Sequence, residues 1–158
     1  STLLSKISRA QPKIADYPFT TLYPILGVVK KFDQEIVVAD IPGLIKGAHE
    51  GKGIGDRFLA HIERCKFLLH IIDVSEINFL ENYKIIRKEL LKYGKNLNQK
   101  KELIALSKSD LLDISKEEVL NLVEKELGEK PLIFSSISNE GIEDLLDVLF
   151  KNIETCND

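Results

Sequence analysis

The second half of the chain alternates short, continuously apolar runs with longer segments of helical periodicity, and this pattern is the strongest constraint on the fold. The runs Leu103–Leu106 and Pro131–Phe134 lack the polar alternation of a half-exposed strand. Runs of this kind are typical of parallel strands that are covered on both faces. Alternating strands and helices therefore predict an open α/β sheet, in which ligands bind at the carboxyl ends of the strands.

Hydrophobic periodicity predicts the remaining elements along the chain. The predicted helices cover residues 2–9, 55–64, 77–93, 115–127 and 141–153. The predicted strands cover residues 25–31, 35–40, 66–73, 102–107 and 131–135, and the first two are close enough to form a hairpin. The first helix has Leu3, Leu4 and Ile7 on one face. Ser115 and Glu118 have the spacing of a capping box at the start of the fourth helix.

Two segments have turn-forming compositions. Three prolines predict an irregular loop over residues 11–24. Further on, five of the nine glycines fall within the thirteen residues 43–55. No internal repeat or long linker divides the chain, so a single domain is expected from its 158 residues.

Composition excludes several classes of protein. The chain is 44% hydrophobic and 30% charged, and its formal net charge of -3 provides no global basic field for nucleic acid or an anionic membrane. Two cysteines, Cys65 and Cys156, are too few for a disulfide framework or a cysteine-based zinc site. The longest apolar stretch, around residues 67–72, is far shorter than the ~20 residues that span a bilayer.

The first strand end with a chemical signal is the segment Asp40–Gly43, which has the pattern Asp-x-x-Gly. An aspartate at a strand tip can hold a magnesium ion, often through water. A glycine lets its backbone N–H approach a phosphate without obstruction by a Cβ. Taken alone, an ordinary turn after a strand explains most matches to this pattern.

The second strand end carries Ser107-Lys108-Ser109-Asp110. This tetrapeptide resembles the guanine-reading motif Asn-Lys-x-Asp, with serine in place of asparagine. Asp110 would accept two hydrogen bonds from the ring N–H and exocyclic amine of guanine, a donor pair that adenine lacks. The aliphatic stem of Lys108 would lie against the base plane. A solvated polar loop is the alternative interpretation.

Two further segments are uninformative in isolation. Ser135–Ile137 follow the last strand, where a backbone N–H could meet the guanine carbonyl oxygen. Residues 17–24 contain two threonines, which can offer a hydroxyl to a metal and an N–H to a phosphate. All four signals, however, occur in the order of the second to fifth signatures of a Ras-like GTPase. The chain opens with Ser1-Thr2-Leu3-Leu4, the residue types that follow the lysine of a phosphate-binding loop.

In its longer motifs the sequence resembles the Obg family of GTPases. Residues 10–22 (AQPKIADYPFTTL) are similar to the first switch of that family. The segment Asp40–Ile45, the glycine-crowded stretch after it and Phe58–Arg64 are similar to its second switch. The resemblance covers nearly the whole chain and is most specific over residues 11–72. It implies a Ras-like P-loop NTPase fold of the α/β class, with a mixed, mostly parallel sheet and helices on both faces.

The resemblance also implies a role for individual residues. Ser1 and Thr21 would ligate Mg²⁺ directly, and Asp40 would hold it through water. Gly43 would contact the γ-phosphate of GTP, and Lys108 with Asp110 would hold the base. The full implied nucleotide-binding set is Ser1, Phe19, Thr20, Thr21, Leu22, Tyr23, Asp40, Ile41, Pro42, Gly43, Ser107, Lys108, Ser109, Asp110, Ser135, Ser136 and Ile137. No catalytic residue is assigned.

The implied biology is that of a cytoplasmic GTPase, monomeric and without a membrane partner, which binds GTP or GDP with Mg²⁺. Its partner would be the large ribosomal subunit, both RNA and proteins, during assembly. Leu44 stands where Ras-like enzymes often have a water-orienting glutamine, so slow intrinsic hydrolysis is expected.

The phosphate-binding loop and the strand before it are missing from the sequence, so residues 1–158 are expected to be an Obg-type G domain truncated at its amino end. The isolated fragment is then expected to be inactive. Two other functions remain open: a non-catalytic interaction module, and a receiver-type α/β domain with Asp40 and Asp73 at strand ends.

Overall fold

The structure, a computed structural model, describes residues 2–9, 11–14, 25–31, 33–41 and 60–155. The chain divides into two units, and each is described by itself. The first comprises Ser1–Lys66 with Ile85–Lys100, and the second comprises Phe67–Lys84 with Lys101–Asp158.

The first unit is built around an antiparallel hairpin. Strand β2 spans Ile25–Lys31, as predicted, and pairs along its whole length with β3, Gln34–Asp40, in the predicted hairpin; β3 begins one residue before its predicted bound. At the turn end of the hairpin, Lys30 lies opposite Glu35, and their charged groups are 3.2 Å apart. Opposite charges on facing residues stabilise an antiparallel pair.

A short strand, β1 (Lys13–Ile14), extends the hairpin on the free side of β2. The sequence predicts an irregular loop over 11–24, and at these two residues that prediction is wrong. The reason is a tertiary one: Lys13 and Ile14 pair with Leu26 and Ile25, so the sheet determines their conformation.

Helix α1 (Thr2–Ile7) packs on β2 through the predicted face of Leu3, Leu4 and Ile7, all of which are buried. The contact is close at Gly27, where an added Cβ would lie 2.6 Å from Leu4 Cδ1. The helix ends before the predicted residue 9, because the Arg9 N–H donates to the Val28 carbonyl of β2 at 3.2 Å. Of the predicted helix over 55–64, residues 60–63 are helical and 55–59 lie outside the described part.

The second unit contains a parallel sheet in the order β4-β5-β6. Strand β4 covers Leu68–Asp73, β5 covers Glu102–Ser107 and β6 covers Leu132–Ile133. The register pairs Asp73 with Ser107, so β4 and β5 end side by side. The predicted bounds of β5 are confirmed; β4 and β6 are shorter than predicted.

Three helices belong to the alternating half of the chain. Helix α2 covers Phe79–Tyr93, α3 covers Lys116–Leu127 and α4 covers Ile142–Thr155. The predicted capping box is present, since the Glu118 N–H donates to Ser115 Oγ at 3.2 Å and the Ser115 N–H donates to Glu118 Oε2 at 3.0 Å. None of the helices in the described ranges combines the length and apolar character that crossing a membrane requires.

The core of the second unit explains why its strands are continuously apolar. One cluster of buried residues joins β4 and the residue after it to β5 and α3. Its members are Ile72, Val74, Ile104, Leu106, Val119 and Val123. In β5 three consecutive residues are buried, as expected of a strand that is covered on both faces. This core supports the carboxyl edge of the parallel sheet.

Candidate functional site

The loops after β5 and β6 meet at the carboxyl edge of the parallel sheet. The Phe134 N–H donates to the Leu106 carbonyl at 2.9 Å, and the Ser109 N–H donates to the Phe134 carbonyl at 3.2 Å. Main-chain hydrogen bonds therefore extend from the strands into the loops. The two predicted base-binding segments, Ser107–Asp110 and Ser135–Ile137, are brought together in this way.

The loop after β5 turns sharply at Lys108, whose backbone is left-handed with φ 61° and ψ 40°. A short 3₁₀ helix, Ser109–Leu111, follows at once, and the Leu111 N–H donates to the Lys108 carbonyl at 2.9 Å. A left-handed conformation costs energy at any residue other than glycine, so the surrounding structure must enforce it. The turn leaves Asp110 exposed at the sheet edge.

Asp110 is held by a buried hydroxyl from the other loop. Ser135 is fully buried, and its Oγ donates to Asp110 Oδ1 at 2.6 Å while it accepts from the Ser138 N–H at 3.2 Å. A carboxylate has about four acceptor sites on its two oxygens. One bond from Ser135 therefore orients the carboxylate and leaves it able to accept a pair of donors from a ligand.

This role of Ser135 was missed from sequence, where only a backbone N–H of its loop was considered. The available signal was a polar residue immediately beyond an apolar strand. Such a position is buried, and a buried hydroxyl requires a hydrogen-bond partner.

Lys108 forms an ion pair with Asp73, the last residue of β4. The Lys108 Nζ lies 2.6 Å from Asp73 Oδ2, while Asp73 Oδ1 accepts from the Ser75 N–H at 3.0 Å and from Ser75 Oγ at 2.6 Å. Partial burial raises the pKa of Asp73, but the bonds from Lys108 and Ser75 outweigh it and the net pKa is lowered. The hydrogen bond to Asp73, together with its charge, raises the pKa of Lys108. Both groups are therefore charged near neutral pH.

Ser107 stands where the guanine-reading motif has asparagine. Its Oγ donates to the Ile72 carbonyl at 3.3 Å, and its carbonyl accepts from the Val74 N–H at 3.3 Å. Ser107 thus connects the ends of β5 and β4. Ser109 is buried, and its hydroxyl has no hydrogen-bond partner among the described residues.

The remaining residues of the second loop are more exposed. Ser136 is half-buried and Ile137 is 75% exposed. The loop ends at Gly141, where φ is +75° and an added Cβ would lie 2.1 Å from the Ile133 carbonyl oxygen. A glycine is required there for the chain to enter α4.

The predicted phosphate and metal residues are only partly within the described ranges. Asp40 ends β3 opposite Ile25 and is half-buried, with Ile41 immediately after it. The predicted positions Ser1, Phe19, Thr20, Thr21, Leu22, Tyr23, Pro42 and Gly43 lie outside the described residues. A carboxylate at a strand end is the oxygen-donor type that Mg²⁺ prefers. Within the described ranges no group of three or more His, Cys, Asp and Glu side chains could hold a metal ion.

Comparison with known proteins gives a family and a fold. The profile of the 50S ribosome-binding GTPases matches residues 1–108. Among solved structures, the G domain of the FeoB iron transporter of T. maritima has a TM-score of 0.69 at 18% identity, over 95% of this chain and 88% of that one. The cytosolic domain of the same FeoB in a GDP form has a TM-score of 0.73 at 18% identity, over 99% and 58%.

The cytosolic domain of L. pneumophila FeoB has a TM-score of 0.69 at 16% identity, over 95% of this chain and 62% of that one. The chain thus spans less than two thirds of these two cytosolic domains. At such identities the likeness establishes the fold alone. It confirms the predicted Ras-like α/β fold, with a parallel sheet and helices, and the match to a GTPase profile excludes the receiver-type alternative.

Proposed function

The chain belongs to the family of 50S ribosome-binding GTPases, and we propose that its parallel-sheet edge is the site that reads the guanine base of GTP and GDP. The observation that carries the proposal is the 2.6 Å hydrogen bond from buried Ser135 to the carboxylate of Asp110. It joins the two loops that the sequence assigns to the base, and it orients a carboxylate that can discriminate guanine from adenine.

Base discrimination follows from hydrogen-bonding chemistry. Guanine presents a ring N–H and an exocyclic amine on one edge, and the Asp110 carboxylate accepts both. Adenine has no such donor pair, so it would leave polar groups in the site unpaired, which rejects a ligand strongly. The stem of Lys108 covers one face of the base, while Ser107, Ser109, Ser136 and Ile137 form the surrounding loops.

The phosphate side of the proposal rests on sequence. Ser1 and Thr21 supply hydroxyls to Mg²⁺, Asp40 holds the ion through water, and Gly43 contacts the γ-phosphate. Phe19–Tyr23 close over the phosphates, and Ile41 and Pro42 form the start of the second switch. When bound, Mg²⁺ supplies positive charge that neutralises the phosphate oxygens. With Leu44 in place of a water-orienting glutamine, we propose slow intrinsic hydrolysis.

We further propose that the protein belongs to the Obg branch, located in the cytoplasm, and acts with the large ribosomal subunit during its assembly. The supporting observations are the switch sequences within residues 11–72 and the family's description as 50S ribosome-binding. The similarity to FeoB concerns the fold alone. The branch of the GTPase family to which the chain belongs must be decided by functional experiments.

Base recognition is tested by titrating fluorescent GDP and XDP into the complete protein as its gene encodes it. Asp110→Asn should weaken GDP binding about a hundredfold or more and shift the preference toward xanthine, because two charge-assisted hydrogen bonds are lost at ~1.5–3 kcal/mol each. GTP hydrolysis by the unaltered protein should require Mg²⁺ and stop in EDTA. The matched control is Asp113→Asn, an exposed aspartate three residues further on, which should bind GDP normally. GDP affinity unchanged by Asp110→Asn would remove this edge from the nucleotide site.

The ribosomal role is tested by co-sedimentation of the complete protein with purified large subunits. Binding should be stronger with a non-hydrolysable GTP analogue than with GDP, since the γ-phosphate orders the switches. Equal association in both nucleotide states, or none in either, would contradict the assembly role while leaving GTP binding intact.

A further inference from the structure

An ion pair joins the ends of β4 and β5. Its acidic partner, Asp73, has no role in the nucleotide site described above. Asp73 and Ser107 are register partners on adjacent strands, and Lys108 follows Ser107 directly. The Lys108 Nζ lies 2.6 Å from Asp73 Oδ2. The ammonium group of Lys108 is therefore held by a carboxylate at the end of the neighbouring strand.

The two oxygens of Asp73 have different partners. Oδ1 accepts from the N–H and the hydroxyl of Ser75, at 3.0 and 2.6 Å, and Oδ2 faces Lys108. The side chain of Asp73 is 27% exposed, whereas that of Lys108 is 52% exposed. Ser75 thus fixes the less exposed partner, and the fixed carboxylate anchors the more exposed one.

An anchor matters for a lysine in particular. Its flexible four-carbon stem has many accessible rotamers in solution, and each must be given up when the stem packs on a ligand. The left-handed backbone at Lys108 determines where the stem starts, and the ion pair determines where it ends. With both ends held, little freedom remains to be lost when a base arrives, and such preorganisation increases affinity.

We propose that Asp73 is a positioning residue for nucleotide binding, which holds the stem of Lys108 against the plane of the guanine base through the 2.6 Å ion pair. This inference rests on the proposed function. Asp73 touches no part of the nucleotide and acts only through Lys108.

The test is a double-mutant cycle on the complete protein, with GDP affinity and melting temperature measured for every variant. Asp73→Asn keeps the shape of the side chain and an oxygen for Ser75 but presents an uncharged amide to the lysine. Lys108→Met keeps a straight apolar stem without the ammonium. Each single substitution should weaken GDP binding three- to tenfold, and the double variant should be no weaker than Lys108→Met within twofold. Asp113→Asn, the same change at an exposed aspartate outside this ion pair, is the control and should change GDP affinity less than twofold.

Losses that add in the double variant, or an Asp73→Asn protein that binds GDP like the unaltered one, would overturn the inference. Asp73→Glu provides a second route if Asp73→Asn fails to fold. It keeps the charge, so GDP affinity should stay within about threefold of the unaltered protein, and a loss as large as that of Lys108→Met contradicts the proposal. Failure of the unaltered protein to bind GDP would instead refute the proposed function.

Discussion

The parallel strand β5 and the antiparallel strand β3 are both rich in apolar residues, yet they are buried to different extents. Three consecutive residues of β5, Ile104 to Leu106, are buried. In β3 every residue is at least partly exposed, and Val37 is 65% exposed. A strand covered on both faces has little freedom to shift, so the loops that leave it start from a fixed position. Each strand carries a candidate ligand-binding aspartate beyond or at its end, and the one after β5 is held by a second loop.

The largest expected effect is on stability, and it compares the two strands directly. Leu106→Ala should lower the free energy of unfolding by about 2–5 kcal/mol, because removing a fully buried side chain leaves a cavity that the surrounding core fills only in part. Val37→Ala should cost less than about 1 kcal/mol, since the side chain is mostly in solvent already. Urea denaturation of both variants provides the measurement.

A same-size control is available in the hairpin itself. Val29 in β2 is fully buried, so Val29→Ala should cost clearly more than Val37→Ala although the chemical change is identical. Equal losses at the two valines would mean that the burial of a side chain does not determine the cost of truncating it. The comparison between buried and exposed strands would then fail.

The next effect concerns how the second loop organises the site. Ser135→Ala removes the donor that orients Asp110, and we expect GDP affinity to fall about tenfold, which corresponds to ~1.4 kcal/mol. Ser138→Ala is the matched control, because that hydroxyl is exposed and accepts a long 3.5 Å bond from the Glu140 N–H. A tenfold loss with both variants would indicate disturbance of the loop rather than loss of the bond to Asp110.

The smallest effect is the pH dependence of stability at Asp73. Its pKa is lowered in the folded state, so the folded protein favours the carboxylate, and the stabilisation is present above the unfolded pKa of ~4. It is lost as the pH falls through the folded pKa. Because the side chain of Lys108 is 52% exposed and solvent screens the ion pair, we expect less than about 1 kcal/mol.

Urea denaturation of Asp73→Asn and the unaltered protein at several pH values measures this contribution. The difference in unfolding free energy should be constant between pH 5 and 7 and should disappear below the folded pKa. A difference that persists at the lowest pH would show that the contribution does not come from the charge of Asp73.

Much of the local structure was predictable because it depends on neighbours in sequence. The bounds of β5 and the capping box of Ser115 and Glu118 follow from periodicity and from the chemistry of a few adjacent residues. Where tertiary pairing dominates, prediction was less accurate. Strand β1 exists only because β2 lies beside it, and α1 ends where Arg9 pairs with Val28.

The candidate site shows the same difference between features that the sequence predicts and features that depend on tertiary contacts. Ser107–Asp110 and Ser135–Ile137 were assigned to the base from the order of the motifs along the chain and from the resemblance to Obg GTPases, because each segment alone is also compatible with an ordinary polar loop. The contacts that make these residues a site are long-range. Ser135 reaches Asp110, and Lys108 reaches Asp73, across separations of 25 and 35 residues in sequence.

The amino-acid sequence by itself determined the class of fold, the order of the elements and the segments that are proposed to read a base. Those properties depend on local periodicity and on the functional groups that each side chain carries. Only the tertiary structure decided that a buried serine would orient Asp110 and that Asp73 would anchor Lys108. Hydrogen bonds require particular distances and angles, and these arise when parallel strands align their ends, a relation that sequence spacing does not encode.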